Sequence, residues 1–142
     1  MDSLLSPKIK ARKYWLGFLA KTWLECEQQF NWLTFKLVDK KLIGTGRQMY
    51  NGRIYDFIIE YSPFNGLRFD RVYVETKGLK KSTNTHFNAD GSLCLYHPIK
   101  DLNGKPFIEL LEIIPWISEW IYSYDKYLEF KVWVTPEHSH NK

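Results

Sequence analysis

The apolar positions of the chain change period twice. Leu16, Leu19, Trp23, Cys26 and Phe30 recur at three- and four-residue steps, a spacing that lines up side chains on one face of a helix. Ser6-Pro7 supplies the start signal, with serine as N-cap and proline at the first helical position. The predicted helix covers residues 7–29 and places Cys26 on its core face. The period then drops to two. Runs rich in β-branched and aromatic residues at 32–38, 40–46, 54–61 and 69–75 predict four strands. Asn51-Gly52 is a tight-turn signal before the third, and Pro63, Asn65 and Gly66 punctuate the approach to the fourth. Strands so close together, with no helix between them, must pair as antiparallel neighbours.

Residues 76–105 carry no sustained period and are rich in Gly, Lys, Ser, Asn and Pro; long irregular stretches in a folded domain are commonly functional. From Pro106 the helical period returns, with Leu110, Ile113, Ile114, Ile117, Trp120, Ile121 and Tyr124 on one face. Pro115 predicts a kink or a split, because proline removes a backbone donor and restricts Ile114. The tail from Glu129 holds Trp133, Pro136, His138 and His140. The expected fold is α+β: an N-terminal helix, a four-stranded antiparallel meander, an irregular loop and C-terminal helices. At 142 residues, the chain is expected to form one domain over 1–142.

Composition narrows the functional classes. Hydrophobic residues make up 44% and aromatic residues 17% of the chain, which fits a packed core rather than disorder. The net charge of +4 is spread over short clusters (Lys8 to Lys13, Lys40-Lys41, Lys77 to Lys81) and is too small to argue for nucleic acid. No apolar run precedes Lys8 and no stretch reaches membrane-spanning length, so neither a signal peptide nor a membrane partner is expected. Two cysteines then point to a reducing, cytoplasmic setting with free thiols. Gly44-Thr45-Gly46 lacks the Lys-Ser/Thr of a phosphate loop, so no ATP site and no cofactor is expected.

The candidate chemistry lies in His86-Phe87-Asn88-Ala89-Asp90-Gly91-Ser92-Leu93-Cys94-Leu95-Tyr96-His97-Pro98. A thiol works as a nucleophile only as the thiolate, which needs exposure and polar or cationic company. An acyl-transfer intermediate needs a donor aimed at its oxyanion, and an asparagine amide can be one. The Asp90-Gly91 turn folds Asn88 back toward Cys94. On the residues alone, the segment fits a buried, unreactive cysteine between two leucines as well as it fits a nucleophile.

His86-Phe87-Asn88 followed by Gly91-Ser92-Leu93-Cys94-Leu95 resembles the active-site signature of ubiquitin-conjugating enzymes, a His-Pro-Asn tripeptide and then a Gly-x-Ile/Leu-Cys-Leu run. Phe87 stands where that family has proline, and Asn88 lies only six residues before Cys94. Pro63 is similar to the family's Tyr-Pro turn, with Ser62 intervening. Cys94 to Pro98, together with Pro115-Trp116-Ile117-Ser118-Glu119-Trp120, resembles the bacterial branch that accompanies type II CBASS antiphage systems. The resemblance implies the same element order and an acyl transferase with Cys94 as the thioester-forming nucleophile. Asn88 would be the oxyanion donor, and His86 would order the loop. The implied partner is the C-terminus of a cGAS/DncV-like nucleotidyltransferase or of a ubiquitin-like protein; if ATP-driven adenylation of that C-terminus is required, a separate activating enzyme must do it, since this sequence shows no ATP site.

Other assignments stay open. His97 either lowers the thiol pKa or relays a proton, or else serves as a turn residue before Pro98, and Asp101 either orients or deprotonates an incoming amine or is solvated. Trp116 and Trp120 fall in the apolar period of the last helix and are expected in the core. Three other functional classes compete. The first is an inactive scaffold of the same fold. The second is a zinc site from Cys94, His86, His97 and His138 or His140, disfavoured because its ligands come from a loop and a tail. The third is a hydrolase with His86 or His97 as base, which lacks an evident orienting group.

Overall fold

The computed structural model describes residues 7–134 except 66, 67, 98–100, 103 and 106, with side chains from Lys13 onward. Ser6, Gly66, Pro98, Pro106, Pro136, His138 and His140 lie outside the described residues. The chain opens with helix α1 (Pro7–Gln29). Strands β1 (Leu33–Val38), β2 (Lys41–Tyr50), β3 (Arg53–Tyr61) and β4 (Asp70–Val74) follow, and helix α2 (Leu110–Phe130) comes after the long loop. The sheet is antiparallel throughout, in the order β1-β2-β3-β4.

Both hairpins at the start of the sheet close through two residues. Asn51 and Gly52 have φ of 52° and 76°, the mirror-image turn whose twist matches its strands. Asp39 and Lys40 form the other at φ of 46° and 68°, without glycine. The Lys40 carbonyl is held there by the Ser62 hydroxyl at 2.8 Å. The predicted second strand ends near Gly44 and Gly46, but β2 continues to Tyr50. These glycines leave room rather than ending the strand. A Cβ at Gly44 would lie 2.6 Å from the Phe35 ring, and one at Gly46 would lie 2.5 Å from the Trp32 carbonyl.

One face of the sheet is buried through alternation, with Tyr55, Phe57, Ile59 and Tyr61 of β3 at 1% exposure or less. Both helices cover that face. Leu19 and Cys26 of α1 are fully buried. Trp15 and Phe18 gather Phe69, Phe107 and Tyr61 into one edge-and-stack aromatic cluster. On α2, the predicted stripe from Leu110 to Tyr124 is buried. Pro115 does not split α2. It sits in the second turn on the exposed side, where the carbonyl it leaves unbonded stays near water.

Candidate active site

After β4 the chain runs to a short 3₁₀ turn, Thr83–Thr85, and reverses at His86, whose backbone is left-handed at φ 59°, ψ 55°. A left-handed non-glycine residue costs about 1 kcal/mol or more, and the surroundings hold this one in place. The buried Thr85 hydroxyl donates to the Lys80 carbonyl, and the Thr85 carbonyl accepts the Trp120 indole N–H at 3.2 Å. Helix α2 thus props the turn from below.

Residues 86–94 then form a miniature hairpin. Asn88 N–H donates to the Ser92 carbonyl at 2.7 Å, Cys94 N–H to the His86 carbonyl at 2.8 Å, and Gly91 N–H closes the turn on the Asn88 carbonyl at 2.9 Å. Gly91 has φ of +89°, a region favourable to glycine. Leu93 N–H donates to the Val72 carbonyl at 2.7 Å, which fastens the hairpin to β4. Phe87 pairs with Leu93 and buries its ring edge-on to Trp120, at 5.5 Å between centroids. Its N–H donates to the Ser82 carbonyl at 3.2 Å, a bond that proline at this position would lack. The six-residue interval from Asn88 to Cys94 fits this tight turn.

The structure brings His86, Asn88 and Cys94 together on the two arms of the hairpin. Cys94 is partly exposed, with its sulfur 3.9 Å from the Tyr96 carbonyl. Cys26 is buried in the core, where desolvation first and then the nearby Glu25 charge push its thiol up to about 12. The His86 ring stacks on Trp133 at 4.3 Å and 24°. The Asn88 amide nitrogen lies 3.1 Å from both Ser92 Oγ and the Leu93 carbonyl. His97 and Asp101 bond to each other twice. His97 N–H donates to Asp101 Oδ2, and Asp101 N–H donates to the His97 carbonyl at 2.8 Å. Asp101 is buried, and its Oδ1 has no hydrogen-bond partner among the described residues.

Several residues support the hairpin through contacts that local sequence does not specify. Asp90 Oδ1 accepts the Ser92 N–H at 2.9 Å and the Ser92 hydroxyl at 2.6 Å. Its Oδ2 accepts Arg68 at 3.0 Å and Arg71 at 3.3 Å. Burial opposes the charge on Asp90, but the Ser92 bonds and the two arginines outweigh it and hold the carboxyl below its usual range. Just past the cysteine, the Tyr96 hydroxyl donates to Asp70 Oδ1 at 2.6 Å in the interior, and Trp116 leans on the Tyr96 ring at 5.8 Å. Trp120 is buried, as its place in the helical period predicts, whereas Trp116 is only partly covered.

Two grooves flank the hairpin. One of about 510 Å³ is lined by Thr83, Asn84, His86, Tyr127, Lys131 and Trp133. The other, of about 360 Å³, runs along Lys81 to Thr83 and past Phe87, Asn88 and Gly91. No three His, Cys, Asp or Glu side chains converge as a metal site among the described residues. No helix among them is long and apolar enough to cross a membrane.

A family model described as the type II CBASS E2 protein matches residues 22–141. The chain belongs to that family and so to the CBASS antiphage system. No curated protein and no solved structure matches it.

Proposed function

We propose that this chain is a ubiquitin-conjugating-like acyl transferase, a single domain over 1–142 acting in the bacterial cytoplasm. It would receive the C-terminus of a cGAS/DncV-like nucleotidyltransferase or of a ubiquitin-like protein on Cys94 and pass it to an amine. The observation that carries this reading is a partly exposed cysteine on one arm of a hairpin whose other arm is His86-Phe87-Asn88. The Cys94 thiolate attacks an activated carbonyl carbon, the S–C bond forms, and the activating group leaves. An amine then attacks the thioester, the N–C bond forms, the thiolate leaves, and the amine gives a proton to solvent. Dividing the reaction in this way replaces one hard step with two easier ones. With no phosphate loop in the sequence, the reading assigns carboxyl activation to a separate enzyme.

Asn88 is the proposed oxyanion donor. Its amide hydrogens rest on Ser92 Oγ and the Leu93 carbonyl, so donating to an intermediate means exchanging one of these bonds. A neutral hydrogen bond contributes about 1 kcal/mol net, and an oxyanion donor about 3–4 kcal/mol, so the exchange is favourable only in the transition state. His86 is assigned to loop order, which its stack on Trp133 and its carbonyl bond to Cys94 support. The paired bonds between His97 and Asp101 support a turn role for His97, and the burial of the Asp101 carboxyl supports a structural role for it rather than contact with an incoming amine.

The engaged Asn88 amide also favours a second reading, an inactive scaffold of the same fold. Cys94→Ser separates the two. Under the transferase reading, co-expression with CBASS operon partners gives a protein adduct that thiol reductant releases and Cys94→Ser lacks, and the variant loses phage protection. Full protection by Cys94→Ser supports the scaffold and refutes the transferase.

A further inference from the structure

We infer that Asp90, held by Arg68 and Arg71, is a positioning residue that sets the Asn88 amide through the Ser92 hydroxyl. The inference rests on the acyl-transfer reading and adds the device that keeps its oxyanion donor aimed.

Counting hydrogens along the chain of contacts gives the direction of each bond. The Leu93 carbonyl can only accept, so the Asn88 amide must turn its nitrogen toward it. The second Asn88 N–H then points to Ser92 Oγ at 3.1 Å. An Arg68 guanidinium nitrogen, which can only donate, lies 3.1 Å from the same oxygen. Both lone pairs of the hydroxyl are therefore taken, and its one proton must go to Asp90 Oδ1 at 2.6 Å. Asp90 completes its set with the Ser92 N–H and the two arginines. At one end stand groups that only donate, and between them and Ser92 stands a carboxylate that only accepts. The polarity of the whole relay is imposed from there.

The arginines suit a fixed scaffold. Their side chains are 17% and 25% exposed against 39% for Asp90, so what fixes the carboxyl is its set of four bonds rather than burial. Arg71 lies in β4 and Arg68 two residues before its start. The relay thus ties the hairpin's turn to the sheet, as the Leu93 bond to Val72 does for its second arm. When Asn88 turns one N–H toward a developing oxyanion, the Leu93 carbonyl serves as the pivot and Ser92 Oγ keeps Arg68 and Asp90 as partners. Asparagine at 90 must face its Nδ2 either toward the Arg68 and Arg71 donors or toward the Ser92 donors, so the hydroxyl loses its fixed acceptor, turns its proton toward Asn88 and pushes the amide off its line.

The test is a double-mutant cycle on the full chain, charged by thiol exchange with a short peptide ending in a glycine thioester and discharged onto free L-lysine in a single turnover. Asp90→Asn is expected to charge within about twofold of wild type but to discharge about tenfold or more slowly, as for a group misplaced by a fraction of an ångström. In the Asn88→Ala background, the same substitution should add less than about twofold, because its effect passes through Asn88. Ser92→Ala should slow discharge similarly, and Ser92→Thr, which keeps the hydroxyl, should restore most of it. An equal penalty from Asp90→Asn in both backgrounds, or none in either, overturns the inference. A second readout does not depend on transfer. The Asn88 side-chain amide protons should exchange with solvent about tenfold faster in Asp90→Asn and Ser92→Ala than in wild type, by NMR. If no thioester charges Cys94, the transferase reading fails and this measurement alone decides the relay, with unchanged exchange overturning it.

Discussion

Replacing Tyr96 by Phe removes a single oxygen from the segment that follows Cys94. The ring is 4% exposed and keeps its packing against Trp116. Only the 2.6 Å bond to Asp70 is lost. A hydrogen bond to a charged group contributes about 1.5–3 kcal/mol, which for a chain of this size lowers Tm by about 5–9 °C. The loss should depend on pH in a determined direction. Burial raises the Asp70 carboxyl above its ordinary 3.8, while Tyr96, then Arg68 and Arg71, pull it back. A carboxyl raised in the fold contributes stability that is complete below its unfolded value near 4 and is lost as pH rises through the higher folded value. Removing the Tyr96 donor raises the folded value further, so Tyr96→Phe should lose more over that window than wild type. Urea denaturation at pH 4 and pH 8 measures this. The expected gap is about 1 kcal/mol where the lost bond is one between neutral groups and about 2–3 kcal/mol where Asp70 is ionised, so it widens as pH rises through the raised folded value. A gap below about 0.5 kcal/mol at pH 8, the size of an ordinary surface substitution, or one that shrinks with rising pH, refutes the reasoning.

Three further outcomes follow from the packing. Native protein treated with iodoacetamide at pH 8 should be alkylated at Cys94 and spared at the buried Cys26, whose thiol is held at about 12, with both modified in urea; peptide mass mapping reads the two sites. Gly46→Ala should destabilise by about 1–3 kcal/mol in chemical denaturation, because the new methyl would meet the Trp32 backbone carbonyl at 2.5 Å. Trp120→Phe leaves the Thr85 carbonyl without its indole donor and should cost about 1–3 kcal/mol, with faster amide exchange over residues 82–88.

Much of this fold is written in local pattern. Alternation over 54–61 places Tyr55, Phe57, Ile59 and Tyr61 inward, and all four are buried to 1% exposure or less. The three- and four-residue steps from Leu110 to Tyr124 identify the covered face of α2. Asn51-Gly52 announces its turn because glycine tolerates positive φ, but Asp39-Lys40 makes the equivalent turn without announcing it, since its geometry depends on the distant Ser62 hydroxyl. Gly44 and Gly46 read locally as a strand end. Their role of admitting Phe35 and Trp32 exists only once β1 is paired. Pro115 follows the rule for helix interiors less than expected because it lies in the second turn on the exposed side.

The site divides in the same way. His86, Asn88 and Cys94 stand close in sequence and were legible as a group. What holds them was not. Arg68 reaches Asp90 across 22 residues, Trp120 reaches Thr85 across 35, and Trp133 covers His86 from beyond the far end of α2. Ser92 fills the variable position of the Gly-x-Ile/Leu-Cys-Leu run, yet it is the hydroxyl on which the Asn88 amide rests. Such partners are chosen by the tertiary fold, and nothing in the spacing of one segment specifies them.

The central claim is that Cys94 itself carries the acyl group. The most direct measurement is to isolate the adduct formed with the CBASS operon partners, digest it under acid without reductant, and locate the linkage by tandem mass spectrometry. The cargo's C-terminal peptide is expected on the sulfur of Cys94, released by dithiothreitol, with Cys26 unmodified. Finding the linkage on Cys26 or on a lysine, or an unmodified Cys94 in a complex that still protects against phage, contradicts it.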